Sequence, residues 1–172
     1  MPAEGSANVD NSKMKMSGAW RVRMRIHEKK VYQYYDDAGP GRGNCTWGIG
    51  TLAHYGPCST VELKMPVTDT QIEAVFAVRL ANAERIVRRS VKKQALTQAQ
   101  FDALVSFTYN AGEGGAKTTF ELVDGGDFQG AARKISSFIY IHIERNGKKI
   151  KVVAPGLIPR RAEESAPFRS TK

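Results

Sequence analysis

The chain has 172 residues, a length that favours a single domain of ordinary size. Its hydrophobic fraction of 41% and charged fraction of 25% are typical of a soluble globular protein. No apolar run approaches the roughly 20 residues that a membrane-spanning helix needs, so we expect no stable membrane insertion. The net charge of +9 favours an anionic polymer as partner, whether nucleic acid, anionic lipid or a bacterial envelope polymer.

Residues 1–16 are polar and show no periodic pattern, which predicts a flexible N-terminal tail. They also lack the apolar stretch of a secretory signal, so we expect synthesis in the cytoplasm without a signal peptide. The folded domain is predicted over residues 17–168, and residues 169–172 form a short C-terminal tail. A first helix is predicted from Ser17 to near Glu28–Lys30, because Trp20, Met24 and His27 or Glu28 recur at steps of three and four residues.

The segment after this helix predicts a small sheet. The aromatic and β-branched run "VYQYY" is followed by a loop rich in glycine and proline and then by "CTWGIGTLAHYG". Strands separated by such turn-forming residues are typical of antiparallel hairpins.

The rest of the chain predicts helices and one hairpin. Thr70–Glu73 and Thr97–Gln100 fit capping boxes at the start of two long helices, and the second is expected to stop at "NAGEGG". Asn146-Gly147 lies between two alternating segments, the pattern of a β-hairpin turn. The predicted fold class is therefore α+β, with a small sheet, a helical bundle and an additional C-terminal hairpin. A cleft between sheet and bundle is the expected ligand site.

Three acidic residues and one threonine are candidates for chemistry: Glu28, Asp36, Asp37 and Thr46. Hydrolysis of a glycosidic bond needs a carboxylic acid that protonates the leaving oxygen and a second polar group that places water or stabilises the oxocarbenium ion. Glu28 lies at a helix end, and a strand followed by a return strand would bring Asp37, nine positions on, back across the cleft. Thr46 on the return strand offers a hydroxyl that can orient water together with the aspartate. The alternative is a solvated helix end followed by an ordinary Asp-Asp-Ala-Gly turn.

Cys45 and Cys58 flank the same segment and leave two possibilities, reduced thiols or a disulfide. The three histidines are dispersed, and no Cys/His cluster has the spacing of a metal site. We therefore expect neither a metal nor a cofactor.

Three blocks of sequence resemble the phage-type lysozymes. Glu28, "YYDDAG" and "TWGIG" look like the family's Glu-Asp-Thr site and its glycine turn, "LTQAQFDALVSFTYNAG" is similar to its core helix, and "GLIPRRAEESAPF" is similar to its terminal signature. The resemblance implies a lysozyme-like fold and a muramidase that cleaves the β-1,4 bond between N-acetylmuramic acid and N-acetylglucosamine. It also implies roles for Glu28 as general acid and for Asp37 with Thr46 in positioning water, with inversion at the sugar.

Two registers compete within this resemblance. Asp37 keeps the family's spacing from Glu28, whereas the tyrosine context of the motif points to Asp36. A one-residue slip reverses the face of a strand, so regular β geometry admits only one of the two aspartates. Spacing favours Asp37, and Asp36 stays the alternative. The loop before Thr46 is longer than in the family pattern, and Thr51 replaces the histidine that commonly follows the glycine turn.

The resemblance implies peptidoglycan as substrate and action in the periplasm or on the cell wall, after release by a phage or injection as an antibacterial effector. An injected effector implies a cognate immunity or inhibitor protein. We expect a monomer that does not bind nucleic acid. The alternative function is a catalytically inactive module that binds the cell wall on the same fold.

Overall fold

A computed structural model describes residues 10–169. The chain divides into two compact units. One unit contains Gly18–Ala81, and the other contains the described residues before Gly18 together with those from Asn82 onward. None of the described helices is long and apolar enough to cross a membrane.

Five α-helices and five strands make up the described residues, with a 3₁₀ turn at Glu62–Lys64. In chain order they are α1 (Gly18–His27), β1 (Val31–Asp36), β2 (Cys45–Gly48), β3 (Thr51–His54), α2 (Asp69–Ser90), α3 (Gln98–Asp124), α4 (Phe128–Ser137), β4 (Tyr140–Arg145), β5 (Lys148–Val153) and α5 (Leu157–Arg169). The α+β prediction is confirmed, with helices and two small antiparallel sheets.

The first unit contains the predicted small sheet. Its three strands pair antiparallel in the order β1-β2-β3. The turn between β2 and β3 is held by Arg79 of α2, whose guanidinium donates to the carbonyl oxygens of Ile49 and Gly50 and to the Thr51 hydroxyl. A cation on a helix therefore fixes the glycine turn of the "TWGIG" segment.

Helix α2 begins one residue before the predicted capping box. Thr68 and Gln71 form the reciprocal pair instead, because the Thr68 amide donates to Gln71 Oε1 and the Gln71 amide donates to Thr68 Oγ1. The predicted partner Glu73 is engaged elsewhere, in ion pairs with Arg25 and Lys30. The prediction of Thr70 as cap was therefore wrong.

Helix α3 forms the centre of the second unit, and its capping box of Thr97 and Gln100 is confirmed. The helix does not stop at the glycine-rich segment as predicted. Only Gly112 leaves helical geometry, with φ 77°, and the chain resumes a helix that reaches Asp124. One residue in a conformation that suits glycine is enough to bend the path without ending the helix.

Part of the predicted tail over residues 1–16 lies outside the described residues, and the remainder packs into the second unit. The Asn11 amide donates to the carbonyl oxygens of Val91 and Gln94. The buried Met16 donates its backbone N–H to Glu84. Residues 10–16 therefore belong to the folded unit, because their polar groups satisfy buried partners. At the other end, Arg169 belongs to α5 rather than to the predicted tail 169–172, whose remaining residues also lie outside the described part.

A buried ion network joins α5 to α3. Glu164 is fully buried and accepts hydrogen bonds from Arg160 Nε at 3.1 Å and from Arg161 Nη1 at 2.5 Å. The Ser106 hydroxyl of α3 donates to the same carboxylate at 2.6 Å. Arg161 also donates to the Phe138 carbonyl oxygen and to the Asn110 side chain. These contacts satisfy the buried charges, which is the condition for keeping them in a core.

We predict that Glu164→Ala lowers the free energy of unfolding by about 3–5 kcal/mol, because it leaves two buried guanidinium groups without their carboxylate. Urea unfolding followed by circular dichroism measures the change. Glu121→Ala, which removes an exposed carboxylate from α3, is the matched control and should stay within about 0.5 kcal/mol of the parent. Equal effects of the two substitutions would contradict a central role of the network.

Candidate active site

Glu28 occupies the junction between α1 and β1. Its backbone N–H donates to the Met24 carbonyl oxygen at 3.0 Å, which continues the helical turn beyond His27. Met24 is fully buried and anchors this end of α1. The Glu28 side chain is half-buried.

Ion pairs on both sides of Glu28 fix its place in the unit. Arg25 Nη2 lies 2.9 Å from Glu73 Oε2, and Lys30 Nζ lies 2.7 Å from Asp69 Oδ1 and 2.9 Å from Glu73 Oε1. The pKa of Lys30 is raised by these hydrogen bonds, first that of Asp69 and then that of Glu73. The first turn of α2 thus holds the chain on each side of the candidate acid.

The register of β1 and β2 distinguishes the two aspartates. Tyr35 pairs with Thr46, and Asp36 pairs with Cys45. Beyond the strand end, the Asp37 amide donates to the Asn44 carbonyl oxygen at 3.1 Å. Because directly opposed residues share a face and successive residues alternate, Asp37 lies on the face of Tyr35 and Thr46, whereas Asp36 lies on the face of Cys45.

The Asp36 carboxylate is committed to the backbone of two loops. Its Oδ2 accepts from the Gly41 amide at 2.7 Å, and its Oδ1 accepts from the Cys58 amide at 2.7 Å. Both oxygens therefore have partners, and the carboxylate holds the glycine-rich loop and the Cys58 segment together. This arrangement gives Asp36 a structural function.

The Asp37 carboxylate uses one oxygen in structure. Its Oδ1 accepts from the Asn44 amide at 2.8 Å, and no described residue donates to Oδ2. Gly43 is required beside it, since a Cβ on Gly43 would lie 2.0 Å from Asp37 Oδ1, and its φ of 75° also favours glycine. The pKa of Tyr35 is raised by burial and then by the charge of Asp37, which agrees with their common face.

Asn44 connects Asp37 to Thr46. Its carbonyl oxygen accepts from the Asp37 amide at 3.1 Å and from Thr46 Oγ1 at 3.2 Å. Its side-chain oxygen accepts from the Gly56 amide at 3.0 Å. Thr46 itself is buried, with 5% of its surface exposed. The loop before Thr46 is therefore closed by backbone contacts between its two ends.

A disulfide joins Cys45 and Cys58 next to these residues. Ligand atoms of Cys45, His54 and Glu62 lie within 4.8 Å of one another, a grouping that resembles a metal site. A cysteine binds a metal as its thiolate, and the disulfide engages the Cys45 sulfur, so these three residues do not form such a site in the oxidised protein.

The His54 ring contacts two acceptors. Its Nδ1 lies 2.9 Å from the Tyr55 carbonyl oxygen, and its Nε2 lies 2.8 Å from Glu62 Oε1. Both contacts are hydrogen bonds at once only when each nitrogen carries a proton. The Tyr55 carbonyl and then Glu62 accordingly raise the pKa of His54.

Sequence reasoning missed Asn44 and Gly43. Neither belongs to the motif of Glu28, Asp37 and Thr46, and glycine and asparagine are ordinary residues of any loop. The available signal was the position of Asn44 between the two candidate polar residues, at the point where the loop must close.

Comparisons with known proteins point to one family. The family described as phage lysozyme matches residues 26–164. An endolysin of Acyrthosiphon pisum secondary endosymbiont phage 1 is 30% identical over 128 residues, which cover 73% of this chain and 84% of that protein.

Solved structures give the same result. An endolysin from Escherichia coli O157:H7 phage FAHEc1 superposes with a TM-score of 0.70 and 27% identity, covering 92% of this chain and 96% of the other. The muramidase domain of SpmX from Asticcacaulis excentricus gives a TM-score of 0.68 and 27% identity, covering 92% of this chain and all of that domain.

The raised pKa of His54 predicts a pH-dependent contribution to stability. An unfolded histidine titrates near pH ~6.5. The contribution should be fully present below that value and lost as the pH rises through the higher pKa of the folded state. Urea unfolding of the parent and of His54→Gln across this range measures it, and the difference between them should shrink as the pH rises. His142→Gln controls for the loss of an imidazole, and a pH-independent difference for His54→Gln would contradict the assignment.

Proposed function

The chain belongs to the phage lysozyme family, and from this premise we propose that Glu28, Asp37 and Thr46 carry out its chemistry. The protein is a lysozyme, a glycoside hydrolase that degrades peptidoglycan, and its lysozyme-like α+β fold agrees with the resemblance found in the sequence. The bond that we propose it cleaves is the β-1,4 linkage between N-acetylmuramic acid and N-acetylglucosamine.

In the proposed mechanism Glu28 protonates the leaving glycosidic oxygen. Asp37 and Thr46 hold the water that attacks the sugar from the opposite face, which inverts the configuration. The observation that supports this assignment is the β1–β2 register, in which Tyr35 pairs with Thr46, because continued alternation from Tyr35 gives Asp37 the same face. The unused Asp37 Oδ2 is an acceptor for water, and Asn44 keeps Asp37 and Thr46 in a fixed relation.

We further propose that the protein acts on the cell wall or in the periplasm after release or injection. The Cys45–Cys58 disulfide supports an oxidising site of action, where such bonds persist. An antibacterial effector implies an immunity protein in the producing cell, whereas a phage endolysin implies none. Expression in the periplasm, with and without the product of each adjacent gene, distinguishes the two origins by protection from lysis.

We predict that Glu28→Gln lowers hydrolysis of purified peptidoglycan by at least about 10²–10⁴-fold, because glutamine cannot donate the proton. Release of soluble muropeptides with new reducing ends measures the rate. The variant should still sediment with insoluble peptidoglycan and should unfold at the same urea concentration as the parent. Full activity of Glu28→Gln would exclude it as the acid, and an inactive parent that binds peptidoglycan would favour the cell-wall-binding alternative.

The paired variants Asp36→Asn and Asp37→Asn test the register. Asparagine retains one acceptor oxygen. One oxygen suffices for the hydrogen bond that Asp37 accepts from the Asn44 amide, but not for the two that the separate oxygens of Asp36 accept from the Gly41 and Cys58 amides. We expect Asp37→Asn to lose hydrolysis with little change in stability. Asp36→Asn should keep hydrolysis per folded molecule and lose about 1–2 kcal/mol of unfolding free energy. If Asp36→Asn instead loses hydrolysis and Asp37→Asn keeps it, Asp36 is the catalytic aspartate.

A further inference from the structure

A pocket of about 270 Å³ lies beside the β4–β5 hairpin, in the unit that does not contain Glu28, Asp37 or Thr46. Helix α4 contributes one side of this pocket, and the hairpin contributes the other. Its lining residues combine cationic, hydroxyl and aromatic side chains: Lys134, Ser137, Phe138, Tyr140, His142 and Lys151. We call it the hairpin pocket.

The register of the hairpin brings its polar residues to one face. Tyr140 pairs with Val153, and His142 pairs with Lys151, so these four side chains share a face in the alternation of the two strands. Lys151 Nζ lies 4.3 Å from the centre of the Tyr140 ring. The ring thus supports the lysine through a cation–π contact, which does not neutralise its charge.

The two lysines of the pocket have no acidic partner within the described part of the chain. Several arginines of the same unit do have acidic partners: Arg89 pairs with Glu113, and Arg160 and Arg161 pair with Glu164. The acid on the hairpin's polar face is Glu144, which lies opposite Lys149, nearer the turn than the pocket. The pocket therefore presents two unneutralised positive charges.

We propose that the hairpin pocket binds the free carboxylates of the peptide stems of peptidoglycan. This inference rests on the proposed function, since it concerns the same polymer. Lysine ammonium groups are compact charges that suit isolated carboxylates, and the aromatic floor of Phe138 and Tyr140 can contact the aliphatic part of a stem side chain.

The pocket is a binding element and not part of the bond-breaking chemistry. None of its lining residues belongs to Gly18–Ala81, which holds the proposed acid and the water-positioning pair. Removing its charges should therefore weaken affinity for stem-bearing substrate and leave the chemical step unchanged.

The test measures binding to purified sacculi in a Glu28→Gln background, where the polymer is not degraded. Co-sedimentation at low salt should show that Lys134→Gln with Lys151→Gln weakens binding roughly fivefold to tenfold, the sum expected for two exposed ion pairs. Lys148→Gln with Lys149→Gln removes the same charge from the hairpin turn and should leave binding within about twofold. Lys134→Arg with Lys151→Arg keeps both charges and should bind like the Glu28→Gln parent.

Amidation of the stem carboxylates identifies the ligand. Sacculi whose carboxylates are coupled to a neutral amine should bind the pocket variant and its Glu28→Gln parent equally. If the Lys134/Lys151 variant and the Lys148/Lys149 variant lose the same amount of binding, the inference is overturned, because net charge alone then explains the binding. A difference that persists on amidated sacculi would overturn it in favour of another ligand, such as a wall phosphate.

Failure of the two proposals is distinguishable. If the folded parent protein does not hydrolyse peptidoglycan, the proposed function fails, whereas binding of the pocket variant and the turn variant to sacculi still tests the stem assignment. If the protein hydrolyses peptidoglycan and the pocket variant has an unchanged KM on sacculi, the inference alone fails. The expected result is a raised KM on sacculi with unchanged kcat.

Discussion

The alternation of side chains across β1 and β2 is the constraint on which the proposed catalytic site depends. Opposed residues share a face, so pairing Tyr35 with Thr46 assigns Asp37 to the face of Thr46 and Asp36 to the face of Cys45. The two adjacent aspartates have the same side chain, but they therefore lie in different environments. One supports two loops through backbone amides, and the other keeps an oxygen that no described residue engages.

The long loop between these strands is compatible with a fixed site because its ends, rather than its middle, are restrained. Asn44 binds the backbone and carboxylate of Asp37 and accepts the Thr46 hydroxyl. Asp36 holds Gly41 and Cys58, and the disulfide joins Cys58 to the residue before Thr46. Loop closure entropy grows slowly with length, so extra loop residues cost little when both ends are held in this way.

The sequence predicted the features that depend on local pattern. The hairpin turn at Asn146-Gly147, the capping box at Thr97 and the family resemblance are all local signals, and all three are confirmed. The features that were predicted wrongly depend on tertiary contacts, which compete with the local pattern. Glu73 does not cap α2 as predicted, because it forms ion pairs with Lys30 and Arg25. Residues 10–16 belong to the folded unit because the Asn11 side chain donates a hydrogen bond to the Val91 carbonyl oxygen. Loop position alone did not identify Asn44, whose role appears only once both strands are paired.

The distribution of charge separates structural cations from those available to a ligand. The arginines of α5 are buried, and the Glu164 carboxylate between them offsets their desolvation. Lys134 and Lys151 line a pocket without such a carboxylate, at a place where strand register collects polar groups on one face. Among the cations of the described residues there are thus some that are buried with a carboxylate and some that line a concave surface without one. An anionic polymer supplies the missing counter-charge, and peptidoglycan, the substrate of this family, carries carboxylates on its stems.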